Sequence, residues 1–310
     1  MQTIEHSSAK KIFITGASSG IGYQASLKML KQGNKIILPC RDKITRDRTL
    51  ERFRRDNELF VDVSSKTLSP IIDLSDLNSI KETCDNLIKN QFQIDILILN
   101  AGLQYTGAKK PRFSAQGFEL TFATNHLGHL YLTSLLLPLL YKSKCPRIVI
   151  TSSEVHNPMS AGGQIGKPAS LGNLQGLASP KGFTMLDGSN EFSADKAYKD
   201  SKLCNILFAK ALIRKLKDRG LIIPVITWAP GLVIPKGRDG FFKYSRSYNE
   251  LGQILFAFIA RDLAKISVPT EVAGSLLNDL ATNEKYNDLS FKYYSNKNIG
   301  YGLSRMEEAR

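Results

Sequence analysis

Cysteine is scarce: Cys40, Cys84, Cys145 and Cys204 lie far apart in 310 residues, and no two form a CxxC pair. That pattern excludes a disulfide scaffold and points to a reducing, cytoplasmic compartment. Long hydrophobic runs are missing as well. The most apolar window, Leu130 to Tyr141, is interrupted by Thr133, Ser134 and Pro138 and falls short of the roughly 20 residues a bilayer requires. Met1 to Lys10 carries Glu5 and His6 and no apolar stretch of the secretory kind. There are no repeats and no low-complexity tract, and 42% apolar content suffices to bury a core, so disorder is excluded. Acid is the charge in short supply, with 28 Asp and Glu against 42 Lys and Arg and a net charge of +14. No nucleic-acid recognition motif accompanies that excess, which removes nucleic acid as a partner. A phosphorylated ligand and peripheral contact with an anionic membrane remain open.

What the chain does contain is an alternation of short apolar runs and helical patterns. Lys11–Thr15, Lys35–Cys40, Leu68–Asp73, Ile94–Asn100, Arg147–Ser152 and Ile223–Ala229 read as strands, near-continuously apolar as in a parallel sheet buried on both faces. Ile21–Gln32, Ser75–Asn90, Gln116–Tyr141 and Asp195–Arg219 read as the intervening helices. Pro138 is expected to kink the third near its end. The expected fold is a single α/β domain over 1–310, a doubly wound Rossmann fold on a central parallel sheet, with its core at about 10–230. Two stretches break the rhythm. His156 to Ser193 is rich in Gly, Pro and Ser and too long for an ordinary connection, which marks a lid or functional loop. From about 231 to 300, Leu251–Leu263 and Glu271–Leu280 read as helices and Leu289–Tyr294 as a last strand. The apolar segment with Phe241, Phe242 and Leu255 to Ile259 reads equally as a C-terminal helical substrate lid or a buried amphipathic helix, and its aromatics with nearby basic residues also allow peripheral membrane contact, though no strong stripe compels it.

The first strand runs into Thr15-Gly16-Ala17-Ser18-Ser19-Gly20-Ile21-Gly22 and then a helix. Glycines there keep the turn tight and let backbone approach a pyrophosphate on the positive helix end. Gly16-Ala17-Ser18-Ser19-Gly20 also fits a hydrolase nucleophile elbow, but no partner motif supports that chemistry. A plain glycine turn is the remaining alternative. Tyr198 and Lys202 are four residues apart on a helix and so share a face. A nearby ammonium favours phenolate, which is expected to lower the Tyr198 pKa and make it a general acid or base. After the second strand stands Arg41, whose guanidinium suits a ribose 2′-phosphate. That predicts NADP(H), with Lys43 and Arg46 as helpers and Asp42 as the competing acidic group. The window Arg41 to Arg55 holds seven basic residues and three acids, a local source of the positive excess.

With Asn100-Ala101-Gly102 after the fourth strand, Asn125 in the third helix and Ser153 after the fifth strand, these motifs resemble the short-chain dehydrogenase/reductase family over about Lys11 to Gly231. The resemblance implies cofactor contacts at Gly16, Ser18, Ser19, Gly20, Ile21, Gly22, Arg41, Asp73, Leu74, Asn100, Ala101, Gly102, Tyr198, Lys202, Pro230 and Gly231. It implies that Ser153 orients the substrate oxygen, with Ser152 as its rival. Asn125 would organise a proton-relay water and Lys202 would hold the nicotinamide ribose. His126, His129 and His156 read as packing or surface residues, no metal ligand set is expected, and the two long helices match the pair through which family members form homodimers.

Ser153 and Tyr198 are 45 residues apart, and the words Thr124-Asn125-His126-Leu127-Gly128-His129, Leu171-Gly172-Asn173 and Tyr198-Lys199-Asp200-Ser201-Lys202 resemble the light-dependent protochlorophyllide reductase branch. Retinol dehydrogenase-like members share the NHLGH word with a shorter insertion. The pigment branch carries a cysteine after Pro-Gly, where this chain has Leu232, followed by Pro235 and Lys236. The expected activity is NADP(H)-dependent hydride transfer to or from a bulky apolar small molecule, a carbonyl, alcohol or conjugated C=C. True pigment reduction of a tetrapyrrole and a non-catalytic NADP(H) sensor are the alternatives.

Overall fold

Lys11–Ile14 forms β1, and Gly16 turns the chain into helix α1 (Gly20–Lys31), which ends at Gly33 with φ +85°. Residues 9–56, 62–178, 185–235, 240–300 and 303–308 are described by the computed structural model. The strands β2 (Lys35–Ile37), β3 (Thr67–Leu68), β4 (Ile96–Leu99), β5 (Arg147–Thr151), β6 (Val225–Ala229), β7 (Lys292–Gly300) and β8 (Leu303–Glu308) complete one sheet. Its order is β3-β2-β1-β4-β5-β6-β7-β8, parallel except for the antiparallel β7–β8 pair. The order reverses between β1 and β4, and open α/β sheets bind ligands outside the strand ends at that switch point.

Side chains alternate across the strands. Ile12, Ile14, Ile96 and Ile98 join Tyr23, Met29, Trp228, Leu277 and Leu280 on one face. Phe13, Leu97 and Leu99 join Ile80, Leu132, Leu136 and Leu212 on the other. The remaining helices are α2 (Lys43–Asp56), α3 (Val63–Lys66), α4 (Leu77–Lys89), α5 (Leu120–Phe122), α6 (Gly128–Leu140), α7 (Ala194–Asp218), α8 (Lys243–Arg246), α9 (Glu250–Ala257) and α10 (Thr270–Thr282). No helix among the described residues is long and apolar enough to cross a membrane.

Several boundaries differ from the sequence reading. The expected strand 68–73 shrinks to Thr67–Leu68 plus a lone bridge between Cys40 and Ile71. Pro39 and Pro70 have no N–H to give, so pairing resumes only where Cys40 N donates to Pro70 O and Ile72 N donates to Cys40 O. Helix α2 was missed within the basic window because only Thr49 and Phe53 of its side chains are buried. The long third helix begins at Leu120 rather than 116, since Glu119 caps it by accepting from Thr121 N and Phe122 N. Between α5 and α6 the backbone makes a π-helical turn, Ala123–Leu127, and Pro138 is contained within α6. Strand β8 gave no apolar signal; its sequence is LSRMEE and it pairs only with β7.

Candidate active site

The turn after β1 is built for a close neighbour. Gly16 has φ +71°, and a Cβ there would lie 2.8 Å from the Ala101 Cα, so the two loops at the switch point pack backbone on backbone. Ser19 caps α1 without a side-chain bond to the first turn, which leaves the N–H groups around Gly20, Ile21 and Gly22 for an anion. The Asn100-Ala101-Gly102 loop is fixed from both sides. Asn100 N and Ala101 N donate to Thr15 Oγ1 at 2.9 and 3.0 Å, and Asn100 Nδ2 donates to Thr15 O at 3.1 Å. Asn125 Oδ1 accepts from Leu103 N at 2.8 Å while its Nδ2 donates to Leu103 O at 2.9 Å. The same Nδ2 lies 3.1 Å from Ser201 Oγ, so Asn125 ties the loop to α7. These residues fit a dinucleotide: an open helix end, a glycine cradle and a rigid loop beside it.

The π-helical turn presents the Asn125 carbonyl to His129, whose Nδ1 stands 3.0 Å away, and His129 Nε2 lies 2.9 Å from Thr15 Oγ1. The Thr15 hydroxyl already accepts two N–H bonds, so its own proton goes to Nε2, and Nδ1–H donates to Asn125. Burial pushes His129 down to about 3 and His126 down to about 4, so both are neutral. His129 is a connector between the two loops, a part that sequence reading missed. Its spacing of four from Asn125 was the available signal. Thr151 was missed too: its hydroxyl accepts from Trp228 Nε1 at 3.0 Å, and its carbonyl from Lys202 Nζ and Asn205 Nδ2, both at 3.2 Å.

Tyr198 and Lys202 come together on α7 beside this loop. The Lys202 ammonium is 5.5 Å from the Tyr198 ring centroid, and a Cβ on Gly102 would lie 3.6 Å from it. The Ser153 hydroxyl lies near enough to the Tyr198 phenol to pull its pKa down. The rival Ser152 is buried, and its hydroxyl donates to Lys202 O at 2.9 Å. The expected lowering of the Tyr198 pKa is not what the site produces. Burial pushes the phenol well above its ordinary value, with the Ser153 hydroxyl pulling the other way. Burial also brings Lys202 down to about 8, and its ammonium donates to the Thr151 carbonyl at 3.2 Å. Glu154 and Tyr293 add a neighbour pair that sequence reading did not flag: Tyr293 Oη donates to Glu154 Oε1 at 2.6 Å, and its ring packs edge-on against His156 at 5.6 Å.

At the far end of the groove, Arg41 Nη1 donates to Tyr244 Oη at 2.5 Å. Asp42 caps α2, accepting from Thr45 N at 2.7 Å, and this bond holds its carboxyl below the usual range. Within the basic window, Arg46 pairs with Asp47 and Arg55 with Asp56, while Arg52 lies 3.7 Å over the Tyr23 ring. Much of that window is therefore a self-paired helix face, with Arg41 as its member in the groove. Asp73 closes a turn by accepting from Ser75 N and Oγ, and the Leu74 carbonyl abuts Gly128. Pro230 O accepts from Asn296 Nδ2 at 2.9 Å, and Gly231, at φ +79°, follows it beneath β7. Leu232 packs with Ile234, Phe241, Phe242 and Ala260; Lys236 lies outside the described residues.

A glycine cradle at the switch point, with Ser, Tyr and Lys converging beside it, defines a nucleotide-dependent oxidoreductase of the Rossmann class. The sequence profile of the short chain dehydrogenases matches residues 10–165, and the chain belongs to that family. It is 34% identical to a chloroplastic protochlorophyllide reductase of Pisum sativum over 88% of this chain and 66% of that one. With the corresponding protein of Cucumis sativus the identity is 33%, over 93% and 70%. The chain thus spans about two thirds of the length of these relatives. Among solved structures, a short-chain dehydrogenase from Streptomyces avermitilis shares the fold at 19% identity, with TM-score 0.60, over 93% of this chain and 88% of that one. An uncharacterised protein from Mycobacterium paratuberculosis shares it at 23% identity and TM-score 0.64, over 97% and 85%. Among the described residues no group of side chains is arranged to hold a metal ion.

Proposed function

We propose that the protein is an NADP(H)-dependent reductase of a bulky apolar small molecule. The observation that carries this reading is the convergence of Ser153, Tyr198 and Lys202 beside the Gly16–Gly22 cradle. The first turn of α1 and the Asn100–Gly102 loop would hold the dinucleotide, and Arg41 would supply the positive charge for a ribose 2′-phosphate. The nicotinamide, when bound, supplies the hydride. Tyr198, kept protonated by burial, gives the proton that completes the reduction, so the site as built favours reduction over alcohol oxidation. Ser153 positions the accepting oxygen, or the ring when the acceptor is a conjugated C=C. Lys202, protonated at pH 7 and fixed by the Thr151 carbonyl, places positive charge beside the nascent phenolate.

The apolar character of the substrate is supported by the lid region, where Phe241 packs edge-on against the Tyr198 ring at 5.2 Å. The relatives named protochlorophyllide reductases support a tetrapyrrole within that class, whereas Leu232 in place of a thiol leaves the proton to Tyr198. Helix α9 and the turn after it expose Leu251, Ile254, Leu255, Phe256, Phe258 and Ile259, which supports peripheral membrane contact in a reducing compartment. Exposed Leu130 on α6 and Leu207 on α7 are the surface we assign to a homodimer. The test follows NADPH oxidation with protochlorophyllide, in darkness and in light, and with simple aldehydes. The wild type should turn over at least one of these, and Tyr198→Phe should lower kcat by roughly 10²- to 10⁴-fold with NADPH affinity retained. A wild type inert toward all of them, yet binding NADPH tightly, would make the protein a sensor.

A further inference from the structure

The segment that follows residue 239 lies along the whole cofactor groove, not merely over the substrate end. Gly240, at φ +96°, passes so close to the glycine-rich turn that a Cβ would stand 2.7 Å from Ser19 Oγ. Phe241 packs on Tyr198 at one end. Three residues on, Tyr244 reaches Arg41 at the other, its Oη 2.5 Å from Nη1. The Arg112 guanidinium lies 4.8 Å over the Tyr244 ring, so a second cation bears on the same spot. Ser245 anchors this arrangement: its buried hydroxyl donates to Gln104 O at 3.2 Å and accepts from Thr106 N at 3.1 Å, just beyond the Asn100–Leu103 loop. A guanidinium carries five N–H donors and a phenol both accepts and donates. Tyr244 Oη takes one of the Arg41 donors and keeps its own proton to give, so the pair presents several donors to an incoming dianion.

We propose that Tyr244 is a cofactor-specificity residue, holding the 2′-phosphate of NADP(H) together with Arg41 and thereby drawing the segment 240–248 down over the adenosine end. This rests on the NADP(H) reading above and deepens it: the phosphate is read by the lid as well as by the sheet. The chemistry required of the ligand is a ribose 2′-phosphomonoester, so 2′,5′-ADP, which lacks nicotinamide, should engage the same contact.

The experiment measures Kd for NADPH, NADH and 2′,5′-ADP on the wild type and on Tyr244→Phe, which keeps the ring under Arg112 and loses only the hydroxyl. The wild type should prefer NADPH. The variant should lose roughly tenfold in affinity for NADPH and for 2′,5′-ADP, as for one hydrogen bond to a charged group, with NADH binding unchanged. In the wild type, NADPH should slow amide exchange at 243–248 more than NADH does. A wild type that prefers NADH overturns the NADP(H) reading itself and this inference with it. A wild type that prefers NADPH while Tyr244→Phe binds it as tightly, or more tightly, overturns the role of Tyr244 alone. Equal losses for NADPH and NADH would reduce Tyr244 to a structural residue and overturn it too.

Discussion

Two regions interrupt the strand–helix alternation, and they are held to the fold by opposite means. The insertion between Ser153 and α7 is fastened by buried charge. Lys199 Nζ donates to the carbonyls of Gly163, Ile165 and Lys167 at 2.9, 2.5 and 3.0 Å. Lys196 Nζ donates to Ser170 O at 2.8 Å and contacts the carboxylates of Asp200 and Asp187 at 2.6 and 3.1 Å, while Asp200 also accepts from Ser170 N. Helix α9 and the turn after it are instead apolar and largely outward: no residue of α9 is buried, and Leu251 is 82% exposed. Long loops carry backbone polar groups that must be satisfied, and the insertion satisfies many of its own on the catalytic helix. An exposed apolar helix gains nothing from water, and its composition is what the proposed substrate or lipid contact would use.

That contrast can be broken most forcefully at Asp200. Asp200→Ala leaves Lys196 buried with only Asp187 as its carboxylate partner. Removing one member of a buried pair costs about 3–5 kcal/mol. Retention of Asp187 places the expected loss near the lower end, and urea denaturation measures it. The paired replacement Lys196→Met with Asp200→Leu should recover part of that loss, since it removes the buried charges and leaves only the partly exposed Asp187 carboxylate without its lysine. If Asp200→Ala changes stability by less than about 0.5 kcal/mol, the range of ordinary surface substitutions, the insertion is not anchored as described.

A second effect, of similar size, separates the lysines of α7 from one another. Lys196 has carboxylates and Lys199 three carbonyls, whereas Lys202 is fixed by the Thr151 carbonyl and sits at about 8, lowered by burial. In the folded chain Lys202 loses its proton near pH 8, and in the unfolded chain near 10.5. Between those values the unfolded chain holds more protons, so the Lys202 contribution makes stability rise with pH across that window. Below pH 8 the penalty is complete, about 3 kcal/mol. Relative to the wild type, Lys202→Met should therefore gain stability as pH falls from about 10.5 to 8. Parallel stability curves for the two proteins across that range would contradict the assignment.

The comparison also shows what a sequence can disclose. The strands β1, β4, β5 and β6 were legible because each is a short apolar run buried on both faces, and the glycine turn because its backbone demands are local. Ser153, Tyr198 and Lys202 were legible as motifs, but the direction of the Tyr198 shift was not, since burial depends on residues distant in sequence. Helix α2 hid behind a polar surface and β8 behind an edge-strand composition. Neither Thr15–His129–Asn125 nor Arg41–Tyr244 has a spacing rule for its long-range link, 114 and 203 residues apart. Lys199 and Asp200 lay in plain view inside the YKDSK word, yet what they grip is a loop without periodicity.

The smallest expected change in stability belongs to the exposed helix. Leu255 and Phe258 are 59% and 55% exposed, so Leu255→Gln with Phe258→Gln removes little buried apolar area. The double variant should unfold within about 0.5 kcal/mol of the wild type in urea. If those side chains serve a lipid surface, the same variant should lose co-sedimentation with anionic phospholipid vesicles while keeping NADPH affinity. A large loss of stability would mean that the segment is part of the core after all, and the two regions would no longer differ in kind. Unchanged stability with unchanged vesicle binding would leave the apolar substrate as the reason for the helix, and its KM as the quantity that should rise.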